Sequence, residues 1–299
     1  MSIQAFIDHL AHEKKYAQHT ITAYKHDLER FAAFCASEHQ SLQLEDVAYT
    51  LIRSWIVTLV DQGLEHRSIN RKISSLRSYY KFLYQIGQID QHPLRNHKPL
   101  KASKNVQIPL SEEEMQKLWD GSVFTEDYNG VLGKTIIELL YSTGMRRSEL
   151  IHLKPENIDW DNHKIKVLGK RNKERYLPLL PALKETLKAY EKIKIEKGWA
   201  SQSYFLLGSK GKKLTENFVY TTVNFYLKQV STKKKVSPHM IRHSFATHLL
   251  NNGAELKVVQ DLLGHTSLAA TQVYTHSSMQ KIKAAYAKAH PRGGTKKNV

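Results

Sequence analysis

Apolar residues recur every three or four positions through most of the chain, which predicts a mainly α-helical protein. The first hundred residues carry four such stripes. The second predicted helix begins after an N-cap at Thr20 and runs to Glu38, and the third ends at Gly63. The other two stripes cover residues 3–10 and 67–83. This pattern predicts a four-helix N-terminal domain.

The periodicity is lost between residues 92 and 109, where three prolines occur. We therefore predict an N-terminal domain at 1–95, an extended linker at 96–108 and a C-terminal domain at 109–299. Ser111 with Glu114 forms a capping-box pattern that opens this second domain with a helix. Further helical stripes follow at 131–143, 147–153, 181–197, 215–230, 238–252 and 255–263. Residues 158–178 alternate instead, which predicts a small antiparallel hairpin.

The chain has a net charge of +17, which favours a polyanionic partner because neutralised phosphates release counterions. Residues 1–100 carry a net charge of +2 and residues 101–299 a net charge of +15, so we expect the second part to bind most phosphates. Cys35, the single cysteine, lies among apolar residues and is predicted to be a core residue. Neither a secretory signal nor an uncharged membrane-length run is evident, and we expect a soluble cytoplasmic protein without membrane association.

The fourth predicted helix has a basic stripe beside its apolar one. Basic residues alternate there with Ser74 and Ser78, a pattern that suits a helix lying along a nucleic-acid groove. An ordinary solvated face is the alternative. The candidate DNA-binding residues are Arg67, Arg71, Lys72, Lys81 and, on the second helix, Lys25.

Two short motifs bring together groups that can bind a phosphate. Ser237 and Pro238 predict a helix start, which puts His239 and Arg242 on one face near a helix N-terminus that favours anions. Arg146 follows the helix that Gly144 is predicted to end, and its planar guanidinium matches phosphate oxygens.

Three further residues could complete a phosphoryl-transfer site. His265 follows a glycine at a predicted helix end, and Tyr274 lies in a helix that Ser267 can cap. Lys170 at the hairpin tip can protonate a leaving alkoxide, with Lys173 as the competing candidate.

Each of these residues also has an ordinary structural interpretation. Arg146 could pair with Glu149 on a helix surface, Lys170 could solvate a turn, and Tyr274 could be a packing residue. His239, His243 and His248 have a spacing that could bind zinc, but Arg242 between them would repel a cation. The acidic residues near the motifs are scattered, so we expect no metal and no cofactor.

Taken together, PHMIRHSFATHLLNNGAELKVVQDLLGH and TQVYTH closely resemble the tyrosine site-specific recombinases of the phage integrase family, and most of all the bacterial Xer recombinases. The resemblance covers essentially the whole chain. It implies that Tyr274 is the nucleophile. It implies a SAM-like core-binding N-terminal domain and a mostly helical catalytic domain with a small antiparallel sheet. The other catalytic residues that it implies are Arg146, Lys170, His239, Arg242 and His265.

The same resemblance implies an enzyme that cuts and rejoins duplex DNA through a 3′-phosphotyrosyl intermediate and a Holliday junction, without metal or ATP. The expected assembly is a homo- or heterotetramer on two DNA sites, and a paralogous recombinase and a septal DNA translocase are further expected partners in chromosome dimer resolution. The segment 279–289 is expected to dock in a neighbouring subunit, with packing in cis as the alternative. A transposon or phage integrase, a type IB topoisomerase and a non-catalytic DNA-binding protein are the alternative functions.

Overall fold

A computed structural model describes residues 3–38, 43–102, 108–121, 123–169, 173–264, 285–286 and 288–292. The chain divides into two compact units, residues 1–106 and 107–299. The described residues are mainly helical, with one small antiparallel sheet in the second unit, which confirms the predicted fold class. No helix in these ranges is both long and apolar enough to cross a membrane.

In the N-terminal unit the four predicted helices form around one apolar core, in which Cys35 is buried as expected. The second helix begins earlier than predicted, because the carbonyl of Ala17 already accepts the N–H groups of Thr20 and Ile21, so Thr20 is not the cap. Gly63 follows the third helix with φ +76°. The elements are α1 (Ile3–Asp8), which continues as a π-helical turn (His9–Glu13), α2 (Gln18–Glu38), a 3₁₀ turn (Leu44–Asp46), α3 (Tyr49–Asp61) and α4 (His66–Gln85).

The predicted linker begins by packing on this unit. The side chain of Asn70 donates to the carbonyl of Leu100 and accepts the N–H of the same residue, at 2.8 and 2.9 Å. His66 Nδ1 binds the carbonyl of Lys101 at 2.7 Å. The chain is therefore fixed to α4 as far as residue 101.

The C-terminal unit is built around α6, which is apolar on nearly all sides and buried along its length. It packs against α8, α9 and α10. The elements are α5 (Glu112–Asp120), α6 (Tyr128–Thr143), α7 (Arg147–Ile151), a 3₁₀ turn (Pro155–Asn157), β1 (Ile158–Asp159), β2 (Lys164–Leu168), β3 (Glu174–Pro178), α8 (Pro181–Glu196), α9 (Glu216–Val230), α10 (Pro238–Asn251) and α11 (Leu256–Leu263).

Local sequence signals set the boundaries in this unit. Ser111 and Glu114 form the predicted capping box of α5. The three strands lie in the order β1–β2–β3, all antiparallel, with Val167 opposite Arg175. Gly144 ends α6 in the left-handed conformation, at φ +61°, and a side chain there would collide with the ring of Phe245. The chain can therefore turn sharply from α6 into the segment that carries Arg146.

The described residues near the C-terminus pack on the C-terminal unit. Tyr286 and Ala289 are buried, and the Tyr286 hydroxyl donates to the carbonyl of Ser142. Arg292 Nε donates to the buried carboxylate of Glu138 at 2.8 Å. The described residues 285–286 and 288–292 therefore pack in cis, and their transfer to a neighbouring subunit would require these bonds to break.

Candidate active site

Arg146 lies between α6 and α7, two residues after the left-handed Gly144. Its backbone N–H donates to Glu149 Oε2 at 2.7 Å, and its Nη1 donates to Glu149 Oε1 at 2.9 Å. The Arg146 side chain is 38% exposed, whereas that of Glu149 is 3% exposed. The pair is therefore not a solvated surface contact: a buried carboxylate holds a guanidinium that still reaches solvent.

Arg242 is brought beside this turn by α10. Ser237 accepts the Met240 N–H and caps the helix, with Pro238 in the first turn, as the sequence predicts. Arg242 is 7% exposed and donates from Nη1 to the carbonyl of Gly144 and from Nη2 to the carbonyl of Leu263, both at 2.5 Å. One guanidinium thereby joins the ends of α6 and α11.

The electrostatics of this region favour an anion. Burial, followed by the positive charges of Arg146 and Arg175, lowers the pKa of Arg242 to about 10, so it stays charged at neutral pH. The three arginines are accompanied by the carboxylate of Glu149. Burial alone raises the pKa of that carboxyl, but hydrogen bonds from Arg175 and Arg146 hold it below the usual range. The cluster therefore carries excess positive charge, which a phosphate would relieve.

His239 lies in the first turn of α10 and is exposed. It precedes Arg242 by three residues, so the two share a face of the helix. The neighbouring Arg147 pairs with Glu216 instead. The structure thus brings Arg146 and Arg242 together and places His239 one turn before Arg242 on the same helix.

The other three predicted catalytic residues, Lys170, His265 and Tyr274, are not among the described residues. The residues that precede two of them are described: Gly169 precedes Lys170, and Gly264 precedes His265. Gly169 donates its N–H to the carbonyl of Lys173 at 2.8 Å, which closes the tip of the β2–β3 hairpin, and Lys173 is exposed.

The histidine spacing that could bind zinc has another explanation. His248 is 4% exposed, accepts from the Tyr141 hydroxyl at Nδ1 over 2.9 Å and donates from Nε2 to the carbonyl of Leu110 over 2.8 Å. Both ring nitrogens therefore have partners within the protein. In the ranges that the structure describes, no three His, Cys, Asp or Glu residues are grouped so that they could hold a metal.

Sequence reasoning missed Arg175, and it expected the pairing of Arg146 with Glu149 only as a contact on a helix surface, whereas Glu149 is buried. Arg175 is 4% exposed and forms a bidentate pair with Glu149, with both distances 2.8 Å. A signal was present in the strand pattern, because Arg175 and Leu177 alternate onto the same, buried face of β3. An arginine at a core-facing strand position requires a buried partner.

The N-terminal unit has a second cationic cluster where α2 meets α4. Asp27 is fully buried and accepts from both terminal nitrogens of Arg71 at 2.6 and 2.9 Å, from Lys72 Nζ at 2.9 Å and from Ser75 Oγ at 2.8 Å. Burial alone raises the pKa of Asp27, but these bonds hold it below the usual range. With two cations and one carboxylate, the cluster keeps a positive charge.

The predicted DNA-binding residues fall into two groups. Arg67, Lys81 and Lys25 are exposed, and the Arg71 side chain is 52% exposed although it is bound to Asp27. Lys72 is a correction to the predicted set. It is 6% exposed, and its ammonium points to the buried carboxylate, so it stabilises the helix pair and does not face a ligand.

Comparison with known proteins agrees with this architecture. The pattern of the phage integrase family matches residues 109–281, and that of the phage integrase N-terminal SAM-like domain matches residues 3–87. Tyrosine recombinase XerC of Oceanobacillus iheyensis is 39% identical, with 99% of this chain and 98% of its own length covered. The XerC of Staphylococcus saprophyticus is 37% identical, with 97% of each chain covered.

A solved structure, the XerH site-specific recombinase bound to palindromic difH substrate, has a similar fold. Its TM-score is 0.68 at 23% identity, with 90% of this chain and 79% of that chain covered. The family pattern spans more than half of the chain, and relatives above 30% identity match it over almost its whole length. The chain therefore belongs to the phage integrase family of tyrosine recombinases, as its motifs predict.

Proposed function

We propose that this chain is a site-specific recombinase that breaks and rejoins duplex DNA with Tyr274 as its nucleophile. The observation that carries the proposal is the position of Arg242 at the end of α6, where it binds the carbonyl of Gly144, two residues before Arg146, and where the positive charge of Arg146 helps to lower its pKa. Planar guanidinium groups bind phosphate oxygens in a bidentate way. Two of them can hold both non-bridging oxygens of one diester.

The proposed chemistry consists of strand cleavage followed by strand rejoining, which is the reverse reaction on the exchanged strand. The Tyr274 oxygen attacks the scissile phosphorus, a 3′-phosphotyrosyl bond forms, and the bond to the 5′ oxygen breaks. His239 assists the proton transfer from the tyrosine, and Lys170 protonates the departing 5′ oxygen. Arg146, Arg242 and His265 stabilise the charge on the pentavalent phosphate. The covalent intermediate conserves the bond energy, so rejoining needs no ATP. The preorganised cations neutralise the phosphate, so the proposed chemistry requires no metal ion.

The proposed substrate is a pair of short DNA sites held by four protomers, and strand exchange passes through a Holliday junction. Near-full-length relatives are tyrosine recombinases XerC, which favours a role in chromosome dimer resolution and partition during cell division. A paralogous recombinase and a septal DNA translocase are proposed partners. An integrase of a transposon or phage is the alternative, but solved integrases of both kinds are only 20–22% identical and support the fold alone, whereas the XerC relatives are 37–39% identical.

Covalent trapping on a nicked suicide duplex tests the proposal. The duplex carries the candidate chromosomal site of this organism, and a nick near the scissile phosphate releases a short fragment so that religation fails. We expect a DNA adduct that resists denaturing gel electrophoresis and maps to Tyr274 by mass spectrometry. A duplex with the same composition in scrambled order is the control. Absence of any adduct on every candidate site would reject the enzymatic proposal.

Replacement of Lys170 by alanine is expected to lower the single-turnover cleavage rate by about 10²–10⁴-fold, because the 5′ alkoxide then leaves without a proton. A substrate whose 5′ bridging oxygen is sulfur should restore the rate to within about threefold of the parent, since a thiolate leaves unprotonated. Lys173→Ala is the matched variant from the same hairpin. Equal defects of Lys170→Ala on both substrates would transfer the acid role elsewhere, with Lys173 next.

Replacement of Arg71 by alanine is expected to weaken DNA binding about tenfold and to lower the salt slope of the association constant by about 1. The exposed fork of Arg71 is oriented by Asp27, and the bonds from Lys72 and Ser75 still satisfy the carboxylate after the substitution. The domain should therefore stay folded. Fluorescence anisotropy over a salt series measures both quantities.

The exposed Arg53 on α3 provides a matched control for that experiment. Arg53→Ala removes the same charge from the same unit but from a helix outside the proposed contact surface. Equal salt slopes for the Arg71 variant and the parent protein would favour the solvated-surface interpretation of α4.

A further inference from the structure

Arg175 is a buried residue whose guanidinium makes three hydrogen bonds within the protein. Its Nη1 and Nη2 donate to the two oxygens of Glu149, and its Nε donates to the carbonyl of Leu262, all at 2.8 Å. The side chain is 5% exposed. Arg175 therefore connects β3 to α7 and to the last turn of α11 while remaining out of reach of a DNA phosphate.

Glu149 is shared between Arg175 and Arg146. Its Oε1 accepts one bond from each guanidinium, and its Oε2 accepts the Arg146 backbone N–H and Nη2 of Arg175. Four donors saturate the carboxylate, so its position and that of Arg146 are defined together. A buried carboxylate with fewer donors would be costly and would be free to rotate.

The sharing of Glu149 also determines how much positive charge Arg146 can present to a phosphate. Arg146 and Glu149 alone form a neutral pair, which would attract a phosphate weakly. Arg175 supplies the charge that neutralises Glu149 from the interior, and the positive charge of Arg146 then remains available at its exposed side. A buried cation thereby strengthens the field at the surface of the site.

Arg175 also lies against the backbone at two points. A Cβ at Gly264 would come within 3.1 Å of Arg175 Cδ, and a Cβ at Gly169 within 3.5 Å of Arg175 Nη1. Gly264 immediately precedes His265, and Gly169 immediately precedes Lys170. These contacts hold the Arg175 side chain between the ends of β2 and α11.

We propose that Arg175 is a positioning residue for DNA strand cleavage, acting through Glu149 on Arg146. The proposal rests on the proposed recombinase function. The Arg175 side chain is 5% exposed, so it is not available to a DNA phosphate. Its effect on the rate is transmitted by the orientation and the charge of Arg146.

Arg175→Lys tests this role because lysine keeps the charge but cannot bind both carboxylate oxygens and the Leu262 carbonyl together. On saturating suicide DNA we expect its single-turnover cleavage rate to fall about 10²-fold, the cost of a displacement near 1 Å. The same substitution in an Arg146→Ala background should lower the rate by no more than about twofold further, because the group it positions is already gone.

The matched control is Lys194→Met. Lys194 is a buried cation of the same unit that donates to the carbonyl of Tyr204 at 2.9 Å, on α8 and apart from the arginine cluster. A loss of cleavage rate in Lys194→Met would reflect reduced stability. That loss should be equally large in the parent protein and in the Arg146→Ala background. Circular dichroism and DNA binding verify folding. If Arg175→Lys does not fold, Glu149→Gln takes its place, with the same non-additivity expected.

A neutral substrate provides a second readout that a purely structural role would not change. A methylphosphonate at the scissile position lacks one charged non-bridging oxygen, so it depends less on Arg146, and the Arg175→Lys defect should shrink on it. A defect that multiplies fully in the Arg146→Ala background, or that is equal on both substrates, overturns the positioning role. Failure of the parent protein to cleave at all would instead overturn the proposed function.

Discussion

Tyr274→Phe is expected to abolish the covalent DNA adduct, with a loss of at least about 10³-fold in adduct yield, while equilibrium binding to the site stays within about twofold of the parent. Phenylalanine keeps the ring but has no oxygen to attack phosphorus. The attraction between protein and duplex comes from cations elsewhere, so affinity should be unaffected. Denaturing gels measure the adduct, and fluorescence anisotropy measures the affinity on the same duplex.

The matched control is Tyr220→Phe, which removes the hydroxyl of an exposed tyrosine on α9 of the same unit. Its adduct yield should equal that of the parent. An adduct that persists in Tyr274→Phe would show that another residue is the nucleophile, and peptide mapping of that adduct would identify it.

Helix boundaries were the most predictable part of this fold, because they depend on neighbours in sequence. Ser111 and Ser237 cap α5 and α10 as predicted, and Gly144 ends α6 with a positive φ that other residues adopt at a cost. At Thr20 the same reasoning failed, since a hydroxyl residue near a helix start does not say which carbonyl accepts the first bond.

Long-range pairing was the least predictable part. Glu149 and Arg175 are separated by 26 positions and meet only because the β2–β3 hairpin folds back onto α7. Nothing local to either residue specifies the other. The predicted role of Arg146 depended on its place after Gly144 and on a family resemblance, whereas the burial of its partner Glu149 and the second pair with Arg175 became evident only from the packed structure.

The error at Lys72 has a physical lesson. Lys72 lies on the apolar stripe of α4, three residues after Ile69 and four before Leu76, and Asp27 lies on the apolar stripe of α2 between Tyr24 and Phe31. Opposite charges on two inward stripes of one small domain are the sign of a buried pair. Lys72 was included in the basic stripe because it is a lysine near Arg71. Its position on the helix, in line with Ile69 and Leu76, would have placed it on the apolar side.

Arg242→Lys is expected to lower the single-turnover cleavage rate by about 10²–10³-fold, the usual loss when one donor to a developing oxyanion is removed. Lysine is a point charge without the fork, so it cannot donate to the Gly144 and Leu263 carbonyls and still present N–H groups to a phosphate. DNA affinity should change little, because lysine keeps the positive charge at position 242 and many other cations contribute to binding. Suicide-substrate kinetics at saturating protein measure the chemical step.

Loss of rate in Arg242→Lys could also come from loosening of the α6 and α11 ends, and the neighbouring His243 helps to separate the two causes. His243 is exposed on the adjoining face of α10, so His243→Ala perturbs the helix without removing a proposed phosphate ligand. A normal melting temperature with a large rate loss in Arg242→Lys, beside a normal rate in His243→Ala, assigns the defect to the phosphate contact. A rate within about threefold of the parent would remove Arg242 from the transition-state site, because a lost oxyanion donor costs far more.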